Sequence, residues 1–271
     1  MVFPKFLLNT PEFSQTRKYL SDKAVECIID FGEKGFPGVL VETLAIFINN
    51  LSRPSNTRVA SITHGKFMIQ SQKYIFDDKL PYWIIYRDNE FDSVCKNLDF
   101  NVFKVFRDRQ ITNKLLSPSG DIRVLKSRNI SDDGKNVMDI DGYDSYISYD
   151  DAKNLSVYSY LDCNNVYLTP NMTYKPRMIE KPKECLVNGS LAVLIPKKGI
   201  IPTKEQLAFF STQEYRNFYQ IARNFQTRSL NVDACSVFFY GLLRDKAKKS
   251  PITEKLDEKE NIQITIFDYV K

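Results

Sequence analysis

Three blocks of positive charge carry the most specific chemistry in this chain. Lys104-Val-Phe-Arg-Asp-Arg109 and Arg123-Val-Leu-Lys-Ser-Arg-Asn129 interleave cations with apolar residues at the two-residue period of a strand. A third block gathers Lys175, Arg177, Lys181, Lys183, Lys197, Lys198 and Lys204. On a strand, Arg123 and Leu125 share one face while Val124, Lys126 and Arg128 share the other. Cations in a row beside aromatic side chains are what phosphate contact and base-edge reading both require. The candidates for DNA contact are Lys104, Arg107, Arg109, Arg123, Lys126, Arg128, Lys175, Arg177, Arg223 and Arg228. Among them, Lys175 and Arg177 are framed by Tyr174 and Pro176 and are the candidates for base edges. For any one of these residues a solvated strand face is an equal reading; the recurrence of three blocks favours DNA.

A second stretch is chemically distinct. Residues 31–38 read Phe-Gly-Glu-Lys-Gly-Phe-Pro-Gly, and an apolar run follows from 39 to 48. The run predicts a strand covered on both faces. Gly32, Gly35 and Gly38 free the loop backbone, and Pro37 stiffens it. Phe36 stands at the loop tip, where polar residues are usual. It either folds back onto the core or offers an aromatic surface to a flat ligand.

Other chemistries find no pattern. Between residues 131 and 162 the charge reverses, with Asp132, Asp133, Asp139, Asp141, Asp144, Asp150 and Asp151 prominent. This block lacks both a nuclease signature and the glutamate that closes a calcium loop, and reads as a solvated acidic loop. No GxxxxGK[ST], no GxGxxG after a strand and no GxSxG occurs. One histidine, His64, excludes metal sites built on several. Five scattered cysteines, none in a CxxC pair, argue against a zinc site and a disulfide framework and fit a reducing compartment. No residue is assigned as catalytic or as a metal ligand. A net charge of +5 permits nucleic acid as a partner. No apolar run reaches membrane-span length and no signal pattern opens the chain, so the expected location is the cytoplasm, with no membrane partner.

The elements that must position these residues follow from periodicity. A strand end at Val2 and Phe3 precedes a helix over residues 11–21, with Pro11 in its first turn. Residues 25–30 form a short apolar strand. Two or three buried-type strands with one helix cannot cover both sheet faces, so the start of an α/β domain is expected to be missing. Residues 51–58 read as a linker, dividing the chain into domains 1–57 and 58–271. Beyond it, 59–70 alternate like strands, and 88–100 form a helix with Phe91, Val94, Cys95 and Leu98 on one side. Residues 214–219 and 221–227 read as helical, and the tail 244–260 as exposed.

In this order the segments resemble a known family. Val2-Phe-Pro-Lys-Phe-Leu-Leu8, the Arg17–Leu20 helix, Ile28-Ile-Asp-Phe-Gly-Glu33 and Phe36-Pro-Gly-Val-Leu-Val-Glu-Thr-Leu-Ala-Ile46 resemble the later catalytic motifs of gamma-class, TaqI-like adenine-specific DNA methyltransferases of type II restriction–modification systems. Gly120-Asp-Ile-Arg-Val-Leu-Lys-Ser-Arg-Asn-Ile130, Leu168-Thr-Pro-Asn-Met-Thr-Tyr-Lys-Pro-Arg177, Asn188-Gly-Ser-Leu-Ala-Val-Leu-Ile-Pro196 and the stretches 215–219 and 228–231 resemble their target recognition domain, particularly in type IIS systems. The resemblance implies an α/β chain, α+β overall: an incomplete edge of a methyltransferase-type sheet followed by a mixed α/β target recognition domain. It also implies that Phe36, with Pro37, walls the pocket for an adenine flipped out of the duplex. The family's glycine-rich S-adenosylmethionine loop and Asn-Pro-Pro-Tyr motif are absent. S-adenosylmethionine is therefore expected only once a missing N-terminal half is supplied, and the chain alone is expected to be inactive. Implied partners are double-stranded DNA, that N-terminal half or subunit, and a cognate restriction endonuclease. The alternatives are a DNA specificity subunit with no part in catalysis and an inactive remnant.

Overall fold

The computed structural model describes residues 1–38, 40–227 and 231–244. Arg228, Val39 and all of the predicted exposed tail except Arg244 lie outside the described residues. The architecture is mixed α+β, with four sheets among the described residues.

β1 (Val2–Pro4), β2 (Ala24–Gly32), β3 (Thr43–Asn49), β4 (Asn56–Ser61) and β5 (Phe67–Ser71) form one sheet in the order β1-β3-β2-β4-β5. β3 is antiparallel to β1 and β2, β4 is parallel to β2, and β5 returns antiparallel to β4. β1 and β2 thus point the same way, joined by a 3₁₀ turn over Pro11–Phe13 and the helix α1 (Ser14–Ser21). Arg17 of α1 is buried and donates to the carbonyls of Leu7 and Thr10, both at 2.8 Å, which fixes the helix start against the preceding turn. The predicted boundary at 57/58 falls inside β4, because β4 finds its hydrogen-bond partner in β2.

The apolar run predicted as a strand from 39 becomes one only at Thr43, and Leu40 and Val41 are exposed. The physical limit is pairing: Gly32 opposite Thr43 is the last pair before β2 turns away. Nor is β3 covered on both faces. Val25, Ile28, Leu44, Ile46 and Val59 face the core. On the other face Val2, Ala45, Ile29, Ala60 and Phe67 line up across all five strands, with Phe47, Cys27, Arg58 and Ile69 in the next row. Val2, Phe47, Phe67 and Ile69 there are 51–67% exposed.

The remainder comprises α2 (Gln72–Ile75), α3 (Asn89–Asn97), β6 (Leu98–Asp99), β7 (Phe103–Phe106), β8 (Ile122–Leu125), β9 (Ser145–Ile147), α4 (Tyr149–Ala152), β10 (Tyr167–Pro170), β11 (Ile179–Glu180), β12 (Cys185–Val187), β13 (Leu191–Pro196), α5 (Lys204–Phe209), α6 (Gln213–Ala222) and β14 (Leu242–Leu243). They build a sheet β11-β10-β13-β7, a sheet β12-β8-β9 and the pair β14-β6. Asp88 caps α3 by accepting the Phe91 N–H at 2.9 Å, and Phe91, Val94 and Leu98 are buried as the periodicity predicts. The predicted helix over 221–227 ends at Ala222, since Asn224 and Phe225 turn left-handed, both at φ 51°.

Two apolar cores share the β11-β10-β13-β7 sheet as a wall. Tyr167, Ala192 and Leu194 face the core that also holds Leu44, Phe91 and Phe218; Leu168, Leu191 and Val193 face the one that holds Val124 and Leu186. The first core spans residues 7 to 242, so both predicted domains contribute to it.

Candidate DNA interface

The loop carrying Phe36 is tied down at both ends. At its entry Asp30 is fully buried, and its Oδ1 accepts the Gly32 N–H at 2.9 Å. Its Oδ2 accepts the Tyr86 hydroxyl at 2.5 Å and lies 2.7 Å from Nζ of the buried Lys5. At the exit Glu42 stands 3.7 Å from the same Lys5 and accepts the Thr227 N–H at 3.2 Å. Burial, and then the Asp30 charge, push the Tyr86 hydroxyl well above its ordinary pKa, so it remains a donor to Asp30. Gly32 has φ +54°, and a Cβ there would come within 2.5 Å of Thr63 Cγ2, so the turn out of β2 requires glycine. Phe36, at the tip, is 47% exposed, and Pro37 is exposed beside it. Phe36→Ala is therefore expected to shift unfolding free energy by less than about 1 kcal/mol. A loss of several kcal/mol in a urea melt would return the ring to the core.

Hydrogen bonds then lead from this loop to distant parts of the sequence. Glu33 accepts the Thr227 hydroxyl at 2.8 Å, and the Thr227 carbonyl accepts the Tyr174 hydroxyl. Asn171 donates to Gly189 O at 3.1 Å and to Asn231 Oδ1 at 2.9 Å, and accepts the Val232 N–H at 3.0 Å. Ser190 Oγ accepts the Ser127 N–H at 3.0 Å. A Cβ at Gly189 would meet the Asp108 carbonyl at 2.7 Å, so glycine lets the 188–190 turn lie against the turn after β7. Asp108 shapes that turn by accepting the N–H groups of Gln110 and Ile111. Residues 31–38, 107–111, 127–130, 171–177, 188–190 and 224–227 form one connected set of loops.

The predicted cations divide sharply. Lys104, Arg109, Arg128 and Lys175 are exposed. Arg109, Arg128 and Lys175 stand on the connected loops, whereas Lys104 lies on β7. Lys175 Nζ is 3.9 Å from Asp132, and Arg128 packs 4.8 Å from the centre of the Tyr143 ring. Arg107 is half-buried; burial, and then Arg109, lower its pKa below the usual arginine value. The others serve the fold. Arg177 is buried and donates to the carbonyls of Ser127, Ile130 and Lys175 at 3.1–3.3 Å, clamping loop 171–177 to residues 127–130. Arg223 is buried and reaches Asn231 O at 3.4 Å. Arg123 pairs with Asp139 at 2.6 Å and Asp144 at 2.8 Å, while Lys126 donates to the Tyr143 carbonyl and to Ser145 Oγ.

The acidic block is therefore not simply a solvated loop, because it folds back onto β8 and neutralises Arg123. Val124 and Leu125 are both buried, so β8 offers no alternating cationic face, and Lys126 and Arg128 lie beyond its end. Asn171, Asn188, Ser190 and Asn231 organise the surface without having been singled out. Their signal was present as short polar residues inside the resembling segments.

Two hollows flank the set. One, of ≈ 100 Å³, opens between His64, Tyr174, Phe225 and Thr227. The His64 ring lies 5.1 Å from the Phe225 ring, and burial followed by the Lys5 charge lowers its pKa, so it is neutral at pH 7. The other, ≈ 830 Å³, is lined by Asp139, Asp141, Asp144 and Tyr146, a charge that repels phosphate. Among the described residues no group of three or more His, Cys, Asp or Glu is placed to hold a metal ion, and no helix is long and apolar enough to cross a membrane.

No protein-family model matches the chain, and no curated protein matches it. Among solved structures the chain is similar to the type IIG restriction endonuclease BpuSI, at 10% identity and a TM-score of 0.37, over 95% of this chain and 41% of that one. The chain thus spans less than half the length of that protein.

Proposed function

We propose that the chain is the DNA-recognition and target-base portion of a site-specific adenine DNA methyltransferase of a restriction–modification system. The observation that carries this reading is the convergence of the Phe36 loop with loops bearing Arg109, Arg128, Tyr174 and Lys175, through Glu33, Thr227, Asn171 and Ser190. An exposed aromatic residue on a loop tied at both ends and bonded to the loops that carry exposed cations suits a duplex from which one base has been extruded, because the base needs a new stacking surface and the backbone needs counter-charge. The sequence resemblance of both halves supports the same assignment. Methyl transfer belongs to a separate catalytic half. The apolar face of the five-stranded sheet, carrying the exposed Val2, Phe47, Phe67 and Ile69, is the surface assigned to that half, since a row of exposed apolar side chains across neighbouring strands marks a contact surface.

The chain by itself is expected to bind duplex DNA in a salt-dependent manner and not to bind S-adenosylmethionine. Titration calorimetry tests the second point: micromolar binding of S-adenosylmethionine to the isolated chain contradicts the assignment.

A further inference from the structure

We infer that Met172 and Tyr174 form a wedge that enters the base stack of duplex DNA beside the base held at Phe36; the inference rests on the DNA-recognition reading above. Both side chains are largely exposed, 61% and 55%, on a loop whose backbone is fixed on every side. Asn171 anchors its start through three side-chain bonds to Gly189, Asn231 and Val232. Thr173 Oγ1 donates to the Lys175 carbonyl and accepts the Lys175 N–H, both at 2.9 Å, closing the turn. Buried Pro176 and Arg177 hold its end.

Isolated exposed apolar residues are ordinary on a protein surface. Two on one pinned turn, next to an exposed lysine, are a preorganised contact, because the backbone that presents them is already ordered by these bonds. The Tyr174 hydroxyl is already satisfied by the Thr227 carbonyl, which leaves the ring body as its free chemistry. Thr227 also bonds Glu33 in the Phe36 loop, so wedge and base surface are coupled through one residue. Methionine is among the apolar side chains used to part base steps, and an aromatic ring stacks on any exposed base. Lys175 is placed for the adjoining phosphate, which favours DNA over a protein partner for this turn.

The full chain is tested by fluorescence anisotropy on two duplexes of one sequence, one intact and one with a single abasic gap. A wedge fills the gap without having to part a step, so the wild type is expected to bind the gapped duplex at least about tenfold more tightly. Met172→Ala, which breaks no hydrogen bond of the turn, is expected to weaken that preference while keeping its melting temperature and its salt dependence on the intact duplex, and Met172→Ala/Tyr174→Ala to abolish it. Tyr174→Phe, which keeps the ring, retains the preference. Equal wild-type affinity for the two duplexes overturns the wedge and leaves the DNA reading standing. So does an undiminished preference in the double variant. If the double variant changes only self-association, the turn is a protein contact and the wedge is wrong. Absence of salt-dependent binding to either duplex overturns the DNA reading, and the wedge with it.

Discussion

Asp30→Ala destabilises the chain by about 3–5 kcal/mol, and Lys5→Ala does so by a similar amount. Both residues are fully buried, 2.7 Å apart, and removing one leaves the other charge in a medium that cannot solvate it. The Asp30 change also strips the Tyr86 hydroxyl and the Gly32 N–H of their acceptor. Replacing the pair together, as Lys5→Met/Asp30→Leu, costs less than the sum of the single changes, because neither member of the 2.7 Å pair is left buried opposite the other's lost charge, while Glu42 keeps the Thr227 N–H. Urea melts of the three variants measure this coupling. Single-variant losses below about 1 kcal/mol would show that the network does not anchor the fold at the Phe36 loop. The network belongs to the functional account, because Asp30 and Glu42 hold the two ends of that loop while Glu42 also ties in Thr227.

The second large effect concerns the exposed cations. Arg109→Ala/Arg128→Ala/Lys175→Ala is expected to lower the log–log salt slope of duplex binding by up to about 2.7, at about 0.9 for each phosphate no longer neutralised. Extrapolated from a reference of about 1 M to about 0.1 M salt, that corresponds to roughly a 10²–10³-fold weaker affinity. Stability should be unchanged, since all three side chains are exposed. Arg177→Ala is expected to do the opposite: it lowers the melting temperature by unclamping residues 127–130 from loop 171–177, and it acts on DNA only through that loosening. An Arg177→Ala variant that melts normally but no longer binds DNA would restore Arg177 to the base-reading role that its sequence context suggests.

The contrast between these arginines explains what the sequence made legible. Element identity was readable wherever periodicity or a cap signalled it: α3 begins at its Asp88 cap, β2 at its short apolar run, and α1 after Pro11. Phe36 was recognisable because an aromatic residue among glycines and a proline is unusual, although its exposure depended on tertiary packing. Cation roles were not readable. An arginine that donates to three carbonyls in the interior and an arginine open to phosphate occupy the same kind of local sequence. Tertiary packing separates them: the carbonyls of Ser127, Ile130 and Lys175 take Arg177 into the interior, and the returning acidic block pairs Arg123 with Asp139 and Asp144. The limits of β3 and the continuation of the first sheet through β4 and β5 were hidden for a related reason. Both depend on which strand lies alongside, and that partner is remote in sequence.

If the connected loops around Phe36, Arg109, Arg128, Tyr174 and Lys175 face duplex DNA, binding of the unmodified chain to a labelled duplex depends on salt, measured from about 50 to about 300 mM. With Arg109, Arg128 and Lys175 on the connected loops and Lys104 exposed on β7, the plot of log affinity against log salt is expected to fall with a slope of about −3 to −4. No binding at the lowest salt, or an affinity indifferent to salt, would contradict the claim.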